Sequence, residues 1–333
     1  MKSWSVTVLS ENATLKKFSQ SSEPEALHSF LVTNYPGAKY YSVYEAGFCG
    51  FWIHQRLTTL GVNNIVVNPA DVPTMLKEKL RKTDAVDCSK LARGLRSGDL
   101  RGIYVPDAET LEIRSLIRLR SSIVKDSTRE KNRIKSLLRF QGIQFSRPNS
   151  YWSKRFIQWL CKAPLSTEYG RKTLELHIEQ FLRLREMLLQ ETRIIRNLSR
   201  NESFVEPLRL IMSVPGIGIT TGISFLVEID DIGRFKNTYH LASFIGLIPM
   251  CHSSGEKEGV GDITIRKHAA LRCNIVEASW IAIRKDPALT MAYEQYRKRM
   301  NANKAIIKIA RKLINRIFFV LKHRKEYVPC VVR

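Results

Sequence analysis

The sequence predicts an α/β unit at the N-terminus, a middle built from two long helices, and a mainly α C-terminal region. Three observations predict this class. Short β-branched runs alternate with helical patterns as far as about residue 105. Apolar residues then recur at three- and four-residue steps through two stretches of some thirty residues each. Beyond residue 204, apolar helical stretches follow one another, joined by Pro/Gly turns.

The first strand is predicted over 4–9, where Trp4, Val6, Val8 and Leu9 form an apolar, β-branched run. A turn at Glu11-Asn12 leads into a second strand over 13–19. Further strands are predicted over 40–45 (YYSVYE) and 63–67, within NNIVVN. Helices are predicted over 23–34, opened by Glu23-Pro24, over 50–60 and over 82–97. Two leading strands joined by a tight turn, then a helix and more strands, imply one mixed sheet in a unit ending near Pro106.

From Asp107 to Gly142 the pattern is helical, with Ile113, Leu116, Ile117, Ile123, Val124, Ile134, Leu137 and Leu138 on one stripe. Arg114, Arg118, Arg129, Arg133 and Arg139 crowd the remainder, and the first four are candidates for nucleic-acid contact. A second long helix is predicted over 169–200, its stripe interrupted by Arg185 and Thr192, which favours a bundle over a long zipper. Domains are thus expected at 1–106, 107–203 and 204–333, the last ending in a helix whose core face holds Ile306, Ile309, Leu313, Ile317 and Val320.

Charge narrows the function classes. With 54 Lys+Arg against 31 Asp+Glu, the net charge is +23, an excess suited to a polyanion or an anionic surface. The basic residues are spread along the chain, which fits a long nucleic-acid footprint better than one membrane patch. No stretch approaches eighteen uncharged apolar residues and no secretory leader is visible, so no membrane role is expected. The six cysteines form no C-x-x-C pair, which argues against a zinc ribbon or disulfide framework and fits a reducing cytoplasm.

Three stretches bear chemistry. In SVPGIGITTGISFLVEI, Pro215, Gly216 and Gly218 form a turn between apolar helices. Such a turn resembles a helix-hairpin-helix, whose backbone N–H groups hold a phosphate, and the +23 charge puts this reading ahead of a glycine turn between core helices. In KTDAVDCSKLARGL, Asp84 and Asp87 are three apart on one helix face, and Glu45 ends the strand YYSVYE of the same unit. Carboxylates so placed can converge on Mg²⁺ or Mn²⁺. In HSSGEKEGVGDITIRKHAALR, Ser253-Ser254-Gly255 can present a nucleophile or simply turn, and Arg266, Lys267 and Arg272 can hold a phosphate.

Taken together these residues resemble the DEDD-type insertion-sequence transposases with a catalytic serine, relatives of the Piv site-specific invertases. The resemblance runs through VYEAGFCGFWIHQRL, VVNPADVP, KTDAVDCSKLARGL, GIYVPD, VPGIG, ASFIGLIP, HSSGE and NKAIIKIARKLINRI. It implies a RuvC-like (ribonuclease H-like) domain, a coiled-coil middle and a C-terminal transposase domain. It implies Glu45, Asp84 and Asp87 as the matching acids, and Ser254 as nucleophile, with Ser253 and then Ser243 as alternatives. It further implies a 5′-phosphoserine link to DNA, a divalent cation, donor and target DNA as partners, a structured guide RNA and a homo-oligomer (dimer or tetramer). A bacterial, cytoplasmic, nucleoid-associated location follows. The family's leading aspartate falls before the segment matching KSWSV, so either the protein begins upstream of Met1 or this is an impaired copy. RKHAALR also departs from the family's Gly-Asn pattern, leaving the role of His268 open. An impaired nucleic-acid-binding copy and a metal-dependent junction nuclease stand as competing readings.

Overall fold

The computed structural model describes residues 2–75, 83–146, 151–254 and 257–329, without the side chains of 251–260. The chain divides into two units, Met1–Pro106 and Asp107–Arg333.

In the first unit, β1 (Ser3–Leu9) and β2 (Thr14–Ser21) pair antiparallel across the predicted tight turn. Helix α1 (Pro24–Asn34) follows, with Pro24 in its first turn. Strands β3 (Tyr41–Glu45) and β4 (Asn63–Val67) pair in parallel, as the crossover through α2 (Trp52–Thr59) requires. Helix α3 (Asp84–Ser97) is capped by Thr83, whose side chain accepts from Val86 N–H, and stops at Gly98 with φ +76°. A small core of Leu27, Ile53, Leu57 and Val62 is lined by Trp4, Val6 and Tyr44.

The single mixed sheet expected from the sequence is not formed among the described residues. The tight turn satisfies β1 with β2 and the crossover satisfies β3 with β4, giving two two-stranded ladders. Helix α3 packs on both β1 and β3, so this unit is held together by the helix above the two ladders.

The second unit opens with α4 (Ala108–Phe140), capped by Asp107, whose side chain accepts from Thr110 N–H at 2.7 Å. After the short α5 (Lys154–Leu160), α6 (Glu168–Leu198) returns along α4. The two run antiparallel: Arg120 of α4 meets Thr192 of α6 at 3.3 Å, and Glu130 meets His177 further along. Their packing concentrates at the two ends. One end, with Ile134, Leu138, Phe156, Leu160, Leu174 and Phe181, is a core of its own. At the other end Ile117 and Ile195 join the main core. The span between mixes buried Ile123 and Leu184 with buried Ser127 and Glu130, so the apolar seam is interrupted and the pair is no continuous zipper.

The main core gathers α7 (Glu202–Met212), α8 (Ile219–Ile229), α9 (Thr238–Ile245), α10 (Ala269–Ala282), α11 (Pro287–Arg297) and α12 (Ala302–His323). Helix α8 is buried from Gly222 to Ile229, and α12 buries Ile306, Ile309, Leu313, Ile317 and Val320 as the sequence pattern requires. Between α9 and α10 the chain forms the hairpin β5 (Pro249–Ser254) and β6 (Lys257–Ile263).

Candidate functional site

Glu45 ends β3, and Asp87 lies one turn into α3, the helix that covers that strand. Both carboxylates face one ammonium: Lys90 Nζ is 3.1 Å from Asp87 Oδ1 and 3.8 Å from Glu45 Oε1, and donates to Thr74 Oγ1 at 3.4 Å. The lysine side chain is 11% exposed against 30% and 32% for Asp87 and Glu45, so the cation lies beneath two half-open carboxylates. Asp84 is exposed at the first helical position and does not join them. Among the described residues, no three His, Cys, Asp or Glu side chains are grouped as metal ligands. Glu45 and Asp87 are hard oxygen donors of the kind a divalent ion takes. Lys90 went unpredicted; its spacing of three from Asp87 on a helix was the available signal.

The serine stretch occupies a hairpin tip. Pro249 pairs with Ile263, and Ser253 and Ser254 pair with Glu258 and Lys257 along the ladder. Ser243 lies within α9, away from that tip in the chain.

The Pro-Gly turn is packed against the core. Gly216 has φ +92°, and a Cβ there would stand 2.2 Å from the carbonyl oxygen of Ala278 in α10. The glycine therefore serves close helix approach, the packing alternative to a phosphate cradle. Gly218 has open space around its Cβ position and N-caps α8; Pro215 is half-buried.

The candidate arginines divide. Arg129 and Arg133 are about two-thirds exposed (68% and 63%), paired with Asp126 and Glu130, and Arg266 and Lys267 are exposed. Arg114 is a correction. It is buried, donating to the carbonyls of Val227 and Glu228 at 2.9 and 3.1 Å, so its guanidinium completes the backbone at the end of α8 and offers no surface to a polyanion. Arg118 grips Glu228 with two 2.9 Å hydrogen bonds, although its side chain is 60% exposed. Arg272 donates to the Thr264 carbonyl at 2.6 Å.

The network around Glu228 is the feature sequence reasoning missed. Glu228 is 4% exposed, and its Oε2 also lies 3.2 Å from His268 Nε2. Burial pushes its carboxyl up, but the hydrogen bonds from His268 and Arg118 outweigh burial and hold it at about 2. His268 Nδ1 accepts from Leu271 N–H, capping α10; the tautomer with its proton on Nε2 satisfies both contacts. A single acid inside the apolar run ISFLVEI was the sequence signal.

Comparison with known proteins fits this arrangement. The family model described as "Transposase IS116/IS110/IS902 family" matches residues 208–294, and the IS110-type DEDD model, described as "Transposase", matches residues 2–141. The putative transposase y4qE of Sinorhizobium fredii is 28% identical over 240 residues, covering 72% of this chain and 58% of that protein. A second S. fredii putative transposase, y4rJ, is 28% identical over 298 residues, covering 82% and 74%. The transposase for insertion sequence element IS1111A of Coxiella burnetii is 24% identical over 290 residues, covering 84% and 77%.

The α/β unit with its strand-end and helix-borne carboxylates lies within the stretch that matches the IS110-type DEDD transposase model. The chain is thus similar, over 2–141 and 208–294, to the IS110/IS116/IS902 family of insertion-sequence transposases. The chain spans 58% of the length of y4qE. No helix among the described residues is long and apolar enough to cross a membrane.

Proposed function

We propose that this chain cuts and rejoins DNA by transferring a DNA strand to Ser254, with Ser253 as the alternative. The serine Oγ attacks a backbone phosphorus, forming a 5′-phosphoserine ester, while the P–O3′ bond breaks and the departing 3′-oxygen takes a proton. A 3′-hydroxyl of the partner strand then displaces the serine and restores a phosphodiester, so no external energy source is needed. The observation that carries the reading is the convergence of Glu45 and Asp87 from separate elements, in a unit matching the DEDD model.

Glu45 and Asp87, with Asp84 one turn away, would hold Mg²⁺ or Mn²⁺, which supplies Lewis-acid stabilisation of phosphoryl oxygens when bound. The ammonium of Lys90 lies between the two carboxylates, 3.8 Å from Glu45 and 3.1 Å from Asp87. Arg129, Arg133, Arg266 and Lys267 provide exposed cations for donor and target DNA, with Gly218 at the open N-terminus of α8. Arg118 and Arg272 are tied to Glu228 and Thr264 and contribute through that placement. A structured guide RNA and a homo-oligomer follow from the family resemblance and suit the +23 charge.

The test is a denaturant-resistant protein–DNA adduct, formed in cells carrying the complete element on a plasmid. The adduct should vanish in Ser254→Ala and be recovered on the serine by mass spectrometry in the wild type. An undiminished adduct in Ser254→Ala and in Ser253→Ala sinks the assignment.

A further inference from the structure

Between Ile248 and Ser254 the hairpin rises over six residues, a lever of about 20 Å. A tilt of about 5° at its feet moves such a tip by nearly 2 Å, and a misplacement of ~1 Å at a reacting centre can cost about a hundredfold in rate. A reaction at the tip therefore depends on how the feet are held.

Both feet are fixed by polar contacts from four separate helices. On the outgoing foot, Leu247 N–H donates to the Ala242 carbonyl at 2.7 Å, and Arg311 of α12 donates to the Leu247 carbonyl at 3.1 Å. On the returning foot, Arg272 of α10 donates to the Thr264 carbonyl at 2.6 Å, while Thr264 N–H crosses to the Ile248 carbonyl at 2.9 Å. The returning foot ends at His268, held on buried Glu228 of α8. The feet also touch: Gly246 has φ +84°, and a Cβ there would lie 2.5 Å from Lys267 Cβ and 2.7 Å from the Arg266 carbonyl oxygen. A buried ion pair is a poor source of stability but an effective means of fixing one geometry. Four polar residues tied to the base of one small hairpin are out of proportion to its own stability.

We propose that His268, through Glu228, together with Arg272 and Arg311, are positioning residues of the transposition reaction: they lock the feet of the β5–β6 hairpin and so set where its tip serines stand. This rests on the serine reading above. It also assigns a role to the histidine that departs from the family's pattern in RKHAALR: it caps α10 and ties the foot to α8 in one residue.

The experiment compares His268→Asn and Arg311→Lys with the wild type, as full chains in cells carrying the complete element. Asn keeps an N-cap side chain but is too short to reach Glu228; Lys keeps the charge at position 311 but has no guanidinium fork. Three quantities are read: adduct per DNA retained, the share of adduct on Ser253 against Ser254, and the melting temperature. We expect at least a tenfold fall in adduct per retained DNA, a larger Ser253 share, and melting and DNA retention close to wild type. Adduct yield and serine share within twofold of wild type in both variants overturn the proposal. So does a loss matched by equal loss of DNA retention or of folded protein, which makes the feet structural only. Ser254→Ala, run alongside, separates the two failures: adduct surviving there defeats the serine reading itself, whereas adduct lost there but normal in both foot variants defeats only the positioning.

Discussion

Two carboxylate–cation groups in this protein invite comparison. In the first unit, Glu45 and Asp87 face Lys90 at 3.8 and 3.1 Å and are about one-third exposed. In the second, Glu228 is almost fully buried and bound on both oxygens by Arg118, with His268 and Arg114 close by. The chemistry is alike and the consequences are opposite. A buried carboxylate with its hydrogen-bonding capacity filled is committed to the fold, because removing it or its bidentate arginine strands a charge away from water. A half-open pair on a single ammonium keeps lone pairs for an incoming cation or phosphate environment, and contributes little to stability. Solvent access, more than residue type, separates the structural acid from the available ones.

The comparison breaks if the buried group proves dispensable. Glu228→Ala leaves Arg114 and His268 facing an emptied site, and should cost about 3–5 kcal/mol of the second unit's stability, read by urea unfolding. A loss below about 1 kcal/mol would mean that water enters and solvates the cations. Acid titration probes the same group without mutation. Its folded value, about 2, lies below the ordinary 4.5, so its contribution is complete above pH 4.5 and disappears as pH falls towards 2. At most about 3 kcal/mol is at stake, and Glu228→Gln should flatten that part of the stability–pH curve.

A third test concerns the glycines of VPGIG. Gly216→Ala must push a methyl group into the Ala278 carbonyl from a left-handed backbone, and should cost about 2–3 kcal/mol. Gly218→Ala meets open space and should change stability by less than about 1 kcal/mol. Equal effects at the two positions would contradict the packing of this turn on α10.

Much of this was legible in the sequence, and the exceptions share one cause. Periodicity located β1 to β4 and the long helices, because an apolar stripe of period two or 3.6 is a local property. Short α5 was missed, since seven residues hold too little period to register. The joining of strands into sheets was also missed, because pairing is decided by turns and crossovers between distant segments. Site legibility followed the same division. Glu45 and Asp87 could be named from strand-end and helix spacing, whereas the arginines of the Glu228 network come from residues 110 and more away, and nothing in the sequence near Arg114 marks it as buried. Arginines on a long helix read as surface until a partner such as the end of α8 is known.

The smallest stability effect is also the sharpest discriminator. Asp87→Asn removes one charge from a partly exposed pair whose ammonium retains Glu45 and Thr74 as neighbours. Its unfolding free energy should change by no more than about 1 kcal/mol. Adduct formation should nevertheless fall by about a hundredfold or more, since stabilising phosphoryl charge in a transition state is worth several kcal/mol. Excision of the element measured beside urea unfolding on the same variant gives both quantities. Lost activity with intact stability separates the available carboxylates from the committed one, whereas a variant that keeps both would place the chemistry away from Glu45 and Asp87 and leave Lys90 as an ordinary surface ion pair.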